Sequence, residues 1–102
     1  MGFGNIMKQA QKMQAKMAEM QEQLKDEVLD ASAGGGTVKV TITGDLVVKS
    51  IEIDPTAVDP EDVELLQDMT TAAVNEAIRA AQELQQRRMA DISGGMNIPG
   101  LM

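Results

Sequence analysis

Lys8, Lys12 and Lys16 recur at four-residue intervals, a spacing that sets their side chains along one face if the segment is helical. Residues 1–18 contain no acid to balance them. A row of ammonium groups can displace counterions from a polyanion, which takes positive charge at regular spacing and no reactive group. Arg79, Arg87 and Arg88 form a second basic group late in the chain, with Glu83 the one acid among them. The 102-residue chain still carries a net charge of −7, because acids crowd Glu19–Asp30 and Asp59–Asp68. Segregation of charge, more than its sum, is therefore the informative property.

Reactive chemistry is poorly provided for. The chain has no histidine and no cysteine, which removes the usual general base, the thiolate nucleophile and the soft metal ligands. Ser32, Ser50 and Ser93 have no histidine to activate them. The glycines of GGGTVKV lead into a strand pattern without the GK[ST] of a phosphate loop, and DPEDVELLQD lacks the glycine and ligand spacing of a calcium loop. No enzyme, metal, cofactor or small-molecule substrate is expected. The start of the chain lacks the apolar core of a signal peptide, and no apolar run approaches the ~20 residues of a membrane span. A cytoplasmic protein without a membrane partner is the expectation.

The elements that must position the basic residues are legible from periodicity. Ile6, Ala10, Met13, Met17, Met20 and Leu24 alternate steps of four and three, the seam of a helix over residues 5–27 with Asn5 as its cap. Methionine at such positions fills gaps in a packed seam, so the stripe reads as packing and not as a ligand site. VLDASA suggests a strand over 28–33. Val38, Val40 and Ile42 alternate with polar residues over 37–43, and Ile51 and Ile53 flank Glu52 in a third strand over 46–53. The TGD sequence at 43–45 reads as a tight turn between them. Asp59 with Pro60 marks the start of a helix over 60–90. Val63, Leu66, Thr70, Ala73, Ala77, Ala80 and Leu84 keep its three-four spacing, widened by Leu65, Met69, Val74 and Ile78. The fold expected is α+β, an α-β-β-β-α chain with two long helices and a small antiparallel sheet. Residues 1–93 form one domain and 94–102 a flexible tail dispensable for folding.

A chain this short, with Phe3 as its one aromatic, builds a small core, and self-association is the remaining route to stability. A second copy would also cover strand edges. The packing of the two helices stays open. Antiparallel packing gathers all six basic residues at one end, whereas parallel packing sets the basic start of the first helix against the acidic start of the second.

The segments GNIMKQAQKMQAKMAEMQEQL, GGGTVKVTITGD, SIEIDP, AAVNEAIRAAQE and GGMNIPGLM together resemble the YbaB/EbfC family of nucleoid-associated proteins over nearly the whole chain. The resemblance implies a tweezer-like homodimer with protruding helices and a central dimerisation sheet. It also implies duplex DNA binding of weak sequence preference through the first and last helices, association with the bacterial nucleoid, and effects on nucleoid organisation and gene expression. Carried over, the DNA-binding role falls on Lys8, Lys12, Lys16, Arg79, Arg87 and Arg88. The chain departs from that picture in its acidity. The competing reading is a protein-interaction module that grips a partner with its methionine-rich helices.

Overall fold

The computed structural model describes residues 2–95. Its elements are α1 (Phe3–Asp26), β1 (Val28–Ala33), β2 (Val38–Thr43), β3 (Val48–Ile53), a short 3-10 turn (Pro55–Ala57) and α2 (Val63–Gly95). The three strands form one antiparallel sheet in the order β1-β2-β3. This is the α+β, α-β-β-β-α architecture expected from the periodicity.

Alternation along the strands sorts the sheet into a polar and an apolar face. Asp30 and Lys39 pair at 3.6 Å on the polar side, where the Thr41 hydroxyl also donates to Asp30. On the other side Val38, Val40 and Ile42 are fully buried beneath Ala73, Ala77 and Ala81 of α2. Three alanines at four-residue spacing leave no side chain to hold the helix away, so β2 packs close beneath it. Each buried Val or Ile contributes about 1.5–3 kcal/mol. Leu29, Ala31 and Ala33 extend the cluster across β1.

The core ends at β2. Cross-strand register places Ile53, Ile51 and Val48 opposite Val38, Val40 and Ile42, hence on the same apolar face. α2 lies over β1 and β2, and all six residues of β3 remain exposed. Val48, Ile51 and Ile53 keep 40–44% of their surface in solvent, and among the described residues β3 also has an unpaired edge. The radius of gyration is 19.8 Å, well above the ~13 Å of a compact chain of about 100 residues.

Several boundaries differ from the sequence reading, each for a local reason. α1 starts at Phe3 with Gly2 in the cap position, so Asn5 is not the cap; its backbone N–H instead donates to the Gly2 carbonyl within the first turn. Asp59 and Pro60 form a separate turn. The cap of α2 is Asp62, whose carboxylate accepts the Leu65 N–H at 3.2 Å. Leu46 is outside β3 because it adopts a left-handed conformation, φ 70°, in the turn that ends β2. Thr43 braces this turn, its hydroxyl donating to Asp45 and accepting the Val47 N–H. α2 continues past Ala90 to Gly95. The expected tail, 94–102, lies outside the described residues apart from the two glycines that end α2.

Gly34 opens the β1–β2 connection at φ 65°, and a Cβ there would collide with Met69 Sδ on α2. Gly34→Ala should therefore cost about 2 kcal/mol, from the left-handed backbone and displaced methionine together. A thermal melt reads it directly, and Gly35→Ala, which meets nothing, separates the two contributions.

Candidate nucleic-acid interface

α1 is 24 residues long, about 36 Å, and burial along it begins at Met13. Met20 and Leu24 are buried, Met13 and Met17 are half-buried, and everything from Gly2 to Lys12 is exposed. Phe3 and Ile6 stand 76% and 63% in solvent. Among the described residues the seam expected from Ile6 to Leu24 is thus covered from Met13 onward, and Ile6 and Ala10 stand exposed.

The partner is the last part of α2, and the packing is antiparallel. Arg88 reaches Gln23 and Glu27, whereas Asp91 and Ile92, further along α2, share a groove with Lys16, Glu19 and Met20. Advancing along one helix means retreating along the other. The antiparallel alternative is the one this chain adopts.

It does not gather all six basic residues. Lys16 and Arg88 line the same open groove of about 450 Å³, together with Glu19 and Asp91, so the groove itself is balanced in charge. Lys8 lies another eight residues, about 12 Å, toward the free end of α1. At 100° per residue Lys8 is opposite Met17 and Lys12 also turns away from the apolar seam, whereas Lys16 borders it beside Met20. Arg79 is half a helical turn around α2 from Arg88. It is bracketed on its own helix by Glu76 and Glu83, with its Nε donating to Glu76 Oε2 at 3.2 Å. The hydrogen bond from Arg79 holds the Glu76 carboxyl below its ordinary value, and the same bond raises the Arg79 guanidinium. Arg88 is held by Glu27. Among the described residues no carboxylate pairs with Lys8, Lys12, Lys16 or Arg87, all of them exposed.

The root of α1 is a junction that sequence reasoning missed. Gly44 donates its N–H to the Glu27 carbonyl at 2.9 Å, and its own carbonyl accepts from the Gln85 amide at 2.8 Å. A Cβ at Gly44 would sit 2.8 Å from the Leu24 carbonyl oxygen, so only glycine lets the β2–β3 turn meet the helix end this closely. The TGD sequence hinted at a turn, but nothing in it announced contact with both helices. Glu27 carried no signal at all.

Fold and charge placement define an α+β protein whose cations without an ion-pair partner among the described residues stand mainly on a projecting, acid-free helical arm. The YbaB/EbfC DNA-binding family matches residues 1–96, and this chain belongs to it. A nucleoid-associated protein of Alkaliphilus metalliredigens is 55% identical over 99 residues, covering 97% of this chain and 87% of that protein. One of Moorella thermoacetica is 55% identical over 103 residues, covering 98% and 99%. A crystal structure of an uncharacterized protein from Helicobacter pylori has the same fold at a TM-score of 0.80 and 24% identity, covering 90% of this chain and 97% of its own.

Proposed function

We propose that this protein binds duplex DNA as a nucleoid-associated homodimer, through phosphate contacts from the α1 arm and with weak sequence preference. The observation that carries the reading is the arm itself: Lys8, Lys12 and Lys16 project from an acid-free segment without an ion-pair partner among the described residues. Arg87 adds a cation near the root. Arg79 and Arg88, the other members of the basic set, are engaged by carboxylates and serve less directly. Lysine on phosphate is indifferent to base sequence, and the chain has no Trp or Tyr to stack on bases. Family membership and the names of the relatives support the same reading.

The exposed face of β3 supports the dimer. Its apolar residues share the core face yet lie beyond α2, and its edge is unpaired, so a second copy docked there completes the sheet's cover. Two arms then reach one duplex or bridge two, which is how such a protein would shape the nucleoid and affect gene expression.

Duplex retention across a salt series tests the proposal. Affinity should fall steeply with salt and alike for unrelated sequences, with a log-log slope of about −0.9 for every phosphate neutralised. Retention that ignores salt would instead favour a protein-binding arm, a reading that the exposed Phe3, Ile6 and Met7 support.

A further inference from the structure

We infer that Arg88 acts on DNA binding as a positioning residue that aims the α1 arm through Glu27 and Gln23, and not as a phosphate contact. The inference rests on the DNA-binding reading above, and it concerns which basic residues touch phosphate and which direct those that do.

Arg88 occupies the inner stripe of α2. The buried Ala73, Ala77 and Ala81 run up that stripe, and seven residues on, about two turns, Arg88 stands where the sheet has ended and α1 takes over. Its side chain is 29% exposed, against 57% for Arg79, and that of Glu27 is 35% exposed. The guanidinium reaches Glu27 with one amino group and Gln23 Oε1 at 3.3 Å with the other. Those two residues are four apart, at the last turn of α1 and at its cap, so the planar fork holds α1 at two points along its axis.

The other contacts along that axis are mostly apolar. Leu24 against Gly44 forms the pivot, Met20 is the last buried side chain, and Met17 and Met13 beyond it are half-buried. Lys8 lies sixteen residues beyond Leu24, about 24 Å, so a 10° tilt at the pivot moves it by about 4 Å. That displacement exceeds the length of a hydrogen bond, and it breaks contacts the arm would otherwise make. A phosphate recruiting Arg88 directly would have to strip it from Glu27, in a groove where Glu19 and Asp91 also repel an anion.

The two roles give opposite signs in one variant. Glu27→Gln removes the charge that holds the guanidinium and weakens the pair. If Arg88 touched phosphate, affinity would rise and the salt slope steepen. As a positioning residue it should lose its grip, lowering duplex affinity about tenfold, the equivalent of one or two phosphate contacts near 0.15 M salt. Arg88→Lys keeps the charge but not the fork and should also weaken binding, whereas the double reversal Glu27→Arg with Arg88→Glu should restore most of the loss. Spin labels at Gln9 on the arm and Ser50 on the sheet read the arm without DNA. Their distance distribution should broaden in Glu27→Gln and narrow again in the double reversal. An unchanged distribution, or tighter binding by Glu27→Gln, overturns the inference. Wild-type protein that fails to retain duplex removes the DNA reading itself, a result distinct from any pattern among the variants. Circular dichroism and a melt confirm that each variant folds.

Discussion

Replacing Lys8, Lys12 and Lys16 together by Gln should lower affinity for every duplex sequence alike, by about a hundredfold near 0.15 M salt, and flatten the log-log salt slope by about 2.7 for each bound arm. The reasoning is that each lysine lies on exposed helix with no carboxylate pairing with it among the described residues, Lys8 and Lys12 turned away from the apolar seam and Lys16 at its border. Glutamine keeps helix propensity near that of lysine, so circular dichroism should be unchanged. The same replacement at Lys39 should do less, since Asp30 already pairs with it on the sheet. A triple variant with unaltered affinity and slope would make the row a solvated face, and the adaptor reading would move ahead.

Ile51→Asp combined with Ile53→Asp should leave the protein monomeric at concentrations where the parent is expected to sediment as a dimer. Both side chains are 40% or more exposed in the single chain, so the variant should still fold. In a symmetric contact through this face each dimer would bury four carboxylates among apolar side chains. At even 1–3 kcal/mol apiece that raises the dimer dissociation constant by about a thousandfold or more. Duplex binding should follow, because one arm no longer tethers the other, and the salt slope should roughly halve. Sedimentation equilibrium across dilution decides it. A variant that stays dimeric would place the contact elsewhere, and a parent that is monomeric at low micromolar concentration would remove it.

Element order and core were legible because each followed a period. Val38, Val40 and Ile42 announced a half-buried strand, and the structure buries all three. Ala73 and Ala77 announced the inner face of the last helix. The next step failed at one residue: a strict heptad chose Ala80, whereas the helix, turning at its ordinary 3.6 residues on a sheet, buries Ala81. That single shift also puts Arg88 on the inner stripe with Arg87 beside it facing solvent, a distinction composition cannot make. Antiparallel packing was one of two open alternatives, since charge alone fitted both. The hidden parts were those built from contacts remote in sequence, Arg88 with Glu27 and Gly44 with Leu24 and Gln85, for which no local pattern exists. Helix starts failed for a different reason: Asn5 and Asp59 are good caps by type, but Gly2 and Asp62 occupy the cap positions.

The single aromatic ring of the chain, Phe3, stands about three-quarters in solvent at the tip of α1. Every aromatic proton resonance in a spectrum of this protein therefore comes from one place, the far end of the arm, with no tryptophan or tyrosine signal to obscure it. Narrow lines would report a tip tumbling faster than the body. Broadening or a ring-current shift on titration with duplex would report that the tip itself is engaged, and silence there during binding would place contact nearer the body. The molecule thus carries its own label, at the position where its proposed activity is decided, and needs no dye or engineered residue to be read.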